Sequence, residues 1–155
     1  MLRVKPYEQK YPGYCGPASL KMVLDFYDMK KSERELARLA KSTKVKGTSG
    51  ENLVKAVRQL GFKAFLKDFA EISEIKKYVI GKKIPVMVNW FSRDDGHYSV
   101  VTGIDKKYIY LQDPELGEIN KIELKKFKRI WFTFNGDYLR TRDDIIIRRM
   151  IIINN

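Results

Sequence analysis

Gln9-Lys10-Tyr11-Pro12-Gly13-Tyr14-Cys15-Gly16-Pro17-Ala18-Ser19-Leu20-Lys21-Met22-Val23-Leu24 is an irregular loop that runs into an apolar helix, with the chain's single cysteine at the junction. The spacing predicts a helix from Gly16 to Met29. Lys21, Asp25 and Asp28 fall at i, i+4 and i+7 as one polar stripe, while Leu20, Met22, Val23, Leu24, Phe26 and Tyr27 cover the rest. A helix apolar around so much of its girth is buried on most sides. Pro17 suits the first turn, where its missing N–H would have had no intrahelical partner. Cys15 therefore stands at the N-terminal end of a core helix. The positive end of the helix dipole there favours thiolate, the nucleophilic form, over thiol.

Working outward, 155 residues suit a single domain spanning 1–155. Hydrophobic residues at 44% and aromatics at 12% are enough to build a core. One cysteine excludes an internal disulfide, and the start from Met1 to Glu8 has no signal-peptide run. No stretch approaches the ~20 apolar residues that cross a bilayer, so a cytoplasmic protein is expected. The net charge is +12, from 31 basic and 19 acidic residues. The lysines are scattered in pairs at element ends, such as Lys30-Lys31, Lys82-Lys83 and Lys106-Lys107, without recognition-helix or zinc-finger spacing. A solvated surface accounts for that pattern better than a nucleic-acid face.

A second helix is expected from Ser32, with Glu35 completing a capping box, and a third from Thr48 with Glu51, stopped by Gly61. Phe62 to Phe69 reads as a strand, and Glu71 to Ile80 as a fourth helix ended by Gly81. The continuous apolar run Ile84 to Phe91 is typical of a central strand. Ser92-Arg93-Asp94-Asp95-Gly96 reads as a polar loop. His97 to Ile104 and Tyr108 to Gln112 read as strands joined by a turn at Asp105 to Lys107. A short strand near Ile119 to Ile122 and a helical turn over Leu124 to Lys128 follow. Trp131 to Phe134 and Ile145 to Ile153 are expected as closing strands, with Asn135-Gly136-Asp137 as the turn signal between them and 137–155 as a C-terminal strand extension. Helices lead and antiparallel strands follow, which makes the class α+β.

Cys15 needs a base, and His97 is the only imidazole in the chain. If Asp105 to Lys107 turn the hairpin, His97 and Asp113 lie at its open end within one or two residues of facing each other. Cross-strand neighbours lie ~4.5–5.5 Å apart at Cβ, which permits a carboxylate-to-imidazole hydrogen bond. A lone cysteine with a distant histidine and an acid is the pattern of a nucleophile, its base and an orienting group. The backbone N–H of Cys15 and the side-chain amide of Gln9 are candidate oxyanion donors. Gly13 and Gly16 flank the nucleophile and would let a substrate backbone approach, and Gly96 ends the loop that abuts the presumed cleft. Competing sites are poorly supported. One cysteine and one histidine are too few for zinc without carboxylates, no serine elbow surrounds Ser19, Ser49 or Ser99, and Gly47-Thr48-Ser49-Gly50 lacks a phosphate-loop lysine. Neither a metal nor a cofactor is expected.

The block Gln9 to Leu24, read as Q-x5-C-G-P-A-S-L-K-M-V-L, resembles the bacteriocin-processing cysteine peptidases, the papain-like domains that trim double-glycine leader peptides. His97 to Ile104 followed by Tyr108 to Pro114 resembles that family's His and Asp-Pro blocks, and Phe127 to Trp131 its closing segment. The resemblance covers roughly 9–134 and implies a papain-like cysteine peptidase fold, with N-terminal helices packed on a C-terminal antiparallel sheet. Carried over, Cys15 is the nucleophile, His97 the general base and acid, Asp113 the orienter and Gln9 the oxyanion donor. The implied reaction is hydrolysis of a peptide bond after small residues, without a metal, on a peptide or protein substrate. Family members often sit at the front of export transporters, so a separate export transporter is the expected partner of this span-less chain. Two alternatives use the same fold: an acyl or peptidyl transferase, in which an amine replaces water, and a non-catalytic peptide-binding module.

Overall fold

The helical half forms largely where the periodicity places it. In the computed structural model, which describes residues 1–93 and 95–155, a 3-10 turn over Pro12–Tyr14 leads directly into α1, Cys15–Phe26. Asp94, in the loop expected over Ser92 to Gly96, lies outside the described residues. Helix α2, Glu33–Leu39, is capped by Ser32, whose hydroxyl accepts the Glu35 N–H at 3.1 Å. Helix α3, Gly50–Gln59, is capped by Ser49 and not by Thr48 as expected. The Thr48 hydroxyl is already spent, donating to the Ala40 carbonyl at 2.8 Å and tying the α3 entry to the end of α2. Strand β1, Lys63–Lys67, is shorter than expected, because Phe69 adopts a left-handed φ of 57° and turns the chain. Helix α4, Ile72–Lys76, widens into a π-helical turn over Lys77–Lys82. It runs past Gly81, and Lys83, at φ 58°, ends it.

The strands are β2 (Val86–Ser92), β3 (Asp95–Ile104), β4 (Tyr108–Asp113), β5 (Glu118–Glu123), β6 (Phe132–Phe134), β7 (Ile145–Ile147) and β8 (Arg149–Asn154), with helix α5 over Leu124–Ile130. Five of them and β1 form one antiparallel sheet in the order β1-β8-β2-β3-β4-β5. Pairing of β2 with β3 continues out to Ser92 and Asp95, so most of the expected open loop is hairpin. The expected strand Ile145 to Ile153 is two strands. Its first part pairs with β6 in a separate two-stranded sheet, and its second inserts between β1 and β2. The break falls at Arg148, whose φ is 47° and whose guanidinium donates to the Ala70 carbonyl at 2.8 Å. The connection from β6 is also longer than a turn and includes a 3-10 segment over Arg142–Asp144.

The central strands are buried on both faces, and their side chains alternate between two cores. Met87, Ile151 and Ile153 point to the core built by α1, α2 and α3. Val86, Val88, Trp90, Met150 and Ile152 point to the core that includes Ile75 of α4 and Phe127 of α5. This explains why Ile84 to Phe91 is apolar without alternation: β2 is a central strand with helices on both sides. The same packing sets the N-terminal end of α1 against β3, at the end of the sheet where His97 and Asp113 lie.

Candidate active site

Cys15 is the first residue of α1 and is 8% exposed. The apolar faces of α1 bury the helix in the core around Leu20, Val23 and Leu24, fixing the thiol's position from behind. The loop ahead of it is fastened at several points. The Gly13 N–H donates to the Lys44 carbonyl at 2.6 Å, and the Gln9 N–H donates to the Pro114 carbonyl at 2.8 Å. The second bond ties the Gln9 segment to the turn that follows Asp113.

On the opposite side, β3 and β4 pair Val100 with Gln112. One step further, Asp113 falls across from Ser99, and His97 lies two residues beyond on the same face of the strand. The expected diagonal approach is made: His97 Nε2 and Asp113 Oδ1 are 2.6 Å apart, with both side chains buried. Asp113 is itself held. Its Oδ1 also accepts the Glu115 N–H at 3.0 Å, and its Oδ2 accepts the Asn120 side-chain amide at 3.3 Å. The imidazole meets Trp90 edge to face, with ring centroids 5.7 Å apart, and the Trp90 indole N–H is anchored to the Ser99 hydroxyl at 3.1 Å. A ring so confined keeps one orientation. With Nε2 turned to the carboxylate, Nδ1 is the nitrogen left for the thiol.

Burial would by itself drive the charged imidazolium's pKa down. The Asp113 hydrogen bond, then the hydrogen bond and charge of Cys15, more than reverse that, and His97 is raised from 6.5 to about 10. Asp113 is buried too, which would raise it, yet the His97 bond and charge and the donors from Glu115 and Asn120 hold it below the usual carboxylate value. At neutral pH the site therefore holds an imidazolium between a carboxylate and a sulfur. Such a site can deliver a nucleophile and a proton to one substrate bond.

A cleft of about 430 Å³ opens beside this group, lined by 9–12, by the β2–β3 tip including Gly96, and by His97 and Glu115. Gln9 faces it, with its Nε2 donating to the consecutive carbonyls of Tyr11 (2.9 Å) and Pro12 (3.1 Å). The glycines expected to admit substrate have reasons inside the protein. A Cβ on Gly13 would stand 2.1 Å from the Thr43 carbonyl oxygen, and one on Gly16 2.7 Å from the Thr48 methyl. Neither is among the residues lining the cleft. Gly96 does line it, and a Cβ there would meet the Thr133 hydroxyl at 2.1 Å.

Sequence reasoning missed Glu115, Asn120 and Tyr98. Glu115 was hidden in a turn signal, and Asn120 is an ordinary strand residue until the β4–β5 register brings it diagonal to Asp113. Tyr98 is buried, and burial and the charge of Cys15 both raise its phenol. Among the described residues, His97, Asp113 and Glu115 offer ligand atoms within 4.8 Å of one another, the spacing of a metal site. Two of those atoms are already bonded to each other, and Glu115 is exposed and 3.6 Å from the Arg93 guanidinium. The His–Asp pairing accounts for this geometry without an ion.

The chain is also similar to known proteins. Residues 3–135 match the family described as Peptidase C39 family. The chain is 33% identical over 124 residues to the transport/processing ATP-binding protein ComA of Streptococcus pneumoniae, covering 76% of this chain but only 16% of that protein. It is 37% identical over 130 residues to an uncharacterised protein of Methanothermobacter marburgensis, covering 82% of this chain and 81% of that one. Among solved structures, the peptidase domain of Streptococcus ComA superposes with a TM-score of 0.78 at 22% identity, over 98% of both chains. A double glycine motif protease from an AMS/PCAT transporter, solved in complex with its leader peptide, gives 0.72 at 24% identity, over 98% of this chain and 91% of that one.

Proposed function

Because the chain belongs to the Peptidase C39 family and is a cysteine-type peptidase, we propose that Cys15, His97 and Asp113 hydrolyse a peptide bond after small residues, in a leader peptide of the double-glycine kind. The observation that carries this reading is the 2.6 Å His97–Asp113 bond on a ring whose protonation also responds to the Cys15 sulfur. The Cys15 thiolate attacks the scissile carbonyl carbon, and the C–O π pair moves onto oxygen. The His97 imidazolium then gives its proton to the amide nitrogen as the C–N bond breaks, leaving a thioester and a free amine. Neutral His97 next takes a proton from water. The resulting hydroxide attacks the thioester, and the C–S bond breaks to restore thiolate and imidazolium. Asp113 holds the ring in place and stabilises its charge throughout.

The developing oxyanion is met by the Gln9 amide together with the backbone N–H at the start of α1. Tyr11 and Pro12 carbonyls are adjacent along the chain, so one Gln9 N–H can be shared between them and the other turned to the oxyanion. Gly96 lines the cleft edge where the substrate would lie, and the space of its missing Cβ is taken by Thr133. The ATP-binding relative named above is by its name a transport and processing protein, and this chain spans about 16% of it. An export transporter is the partner to which this relation points.

The test is incubation with peptides carrying an internal Gly-Gly or Gly-Ala pair, read by mass spectrometry, with Cys15→Ala as control. Cleavage after the small pair, lost in the control, supports the reading. Absence of cleavage, or Cys15→Ala activity equal to the native protein's, sinks it. Capture of an added amine in the product would turn the assignment to a transferase.

A further inference from the structure

Beside the cleft lies a second cavity of about 350 Å³, and its wall is basic: Lys10, Lys21, Lys30, Lys31 and Arg34 surround it. Some of this charge is already answered. Asp25 faces Lys21 at 3.4 Å and Lys30 at 3.5 Å, and Glu35 faces Lys31 at 3.7 Å. Among the described residues, Lys10 and Arg34 have no such carboxylate. The one acid in the lining, Glu33, is 3% exposed and is occupied by the Lys10 backbone N–H at 3.2 Å and by the Tyr7 hydroxyl. Burial also raises Glu33 above the ordinary carboxylate range, which weakens its claim on nearby cations. Tyr7 completes the lining, with the Lys21 ammonium 5.3 Å from its ring centroid. The cavity is therefore a structured, net-cationic concavity in which Lys10 and Arg34 make no close ion pair, although the Lys10 charge also acts on the buried Glu33.

Its position decides what it would bind. Lys10 lines this cavity and the catalytic cleft alike. A peptide threaded through the cleft passes over Lys10, and in extended form each residue advances ~3.3–3.6 Å. A side chain a few residues from the scissile bond thus arrives at the basic wall. We propose that this cavity is a second subsite for the peptide, taking a substrate carboxylate between Lys10 and Arg34 and so selecting acidic peptides. The inference rests on the peptidase reading of the cleft, because the peptide that reaches the cavity is the one being cleaved. The contact is partly solvated, so it contributes discrimination more than tight binding and weakens with salt.

The experiment compares peptides that share a Gly-Gly pair and differ only by Glu or Lys at one flanking position, scanned position by position. The ratio of kcat/KM for the Glu and Lys forms is measured with the native protein and with Lys10→Glu/Arg34→Glu, a ratio in which any general damage to the enzyme cancels. Two exposed charges reversed should change it on the order of 10-fold. The native protein should prefer Glu at a particular position, and the variant should lose or invert that preference. In parallel, Cys15→Ala binding of the same fluorescently labelled peptides is followed by anisotropy at rising salt. Acidic-peptide binding that falls with salt, and is lost when the two reversals are added, supports the subsite even if no peptide is cut, an outcome that would sink the peptidase reading alone. Cleavage with no Glu preference, or a preference that survives both reversals, overturns the subsite and leaves the peptidase standing.

Discussion

At His97 two opposing effects meet. Burial favours the neutral ring, while Asp113 and Cys15 favour the charged one, and the pair wins. The consequence is a proton held at neutral pH where a departing amine needs it. With a pKa of about 10, the ring should keep the alkaline limb of kcat/KM far above the 6.5 of free imidazole. Asp113→Ala should move that limb down and lower kcat on the order of 100-fold, since the ring then loses its orienting bond and most of its charge stabilisation. An alkaline limb near 6.5 in the native protein would refute the assignment. Gln9→Ala should cost ~100–1,000-fold in kcat with little change in KM, the signature of a donor used in the transition state alone. A change confined to KM would place Gln9 in ground-state binding instead.

Among the elements, the β2–β3 hairpin and β6 meet at Gly96 against Thr133, where no Cβ fits. Gly96→Ala should destabilise the protein by about 1–3 kcal/mol in urea unfolding through overpacking, and adding Thr133→Ala should restore most of the loss. Destabilisation of similar size in both variants would mean that the close approach is not its source. The helices and the β3–β4 hairpin were legible because their information is local: an apolar period, a capping hydroxyl, an Asp105 turn. The places of Cys15 at the start of α1, His97 in β3 and Asp113 at the end of β4 were legible for the same reason. What was not legible depends on distant partners. The run Ile145 to Ile153 reads as one strand because both halves are apolar, yet Arg149 bonds Asp68 through two nitrogens at 2.7 and 3.0 Å, across 81 residues of chain. That pairing fixes β8 in the main sheet while Arg148 turns away. Thr48 reads as a cap because its call on Ala40 is invisible in sequence. Gly13 and Gly16 read as substrate contacts because the backbone and methyl they pack against belong to the segment before α3.

For the whole molecule, the buried His97–Asp113 pair links stability to pH. The folded state raises the histidine's pKa, so the stability it contributes is fully present below about 6.5 and disappears as pH rises through about 10. Asp113 works in the opposite sense: its depressed pKa contributes stability above the ordinary carboxylate value that is lost as pH falls through the folded one. Urea unfolding of the native protein and of His97→Gln should therefore differ most below about pH 6.5 and converge as pH rises toward 10. Curves that stay equally separated would show that the ring does not titrate in this range. No helix among the described residues is long and apolar enough to cross a membrane. The net charge of +12 is gathered partly at the cavity beside the cleft, which links the molecule's overall basicity to the peptide it would select.

The central claim of the proposal is that His97 activates the Cys15 sulfur as a nucleophile. Its most direct measurement is the rate of Cys15 alkylation by iodoacetamide at pH 6, in the native protein and in His97→Ala. The account predicts fast alkylation in the native protein, slowing in the variant to the rate of an ordinary thiol. A native rate no faster than that of a free thiol, unchanged when His97 is removed, would contradict it.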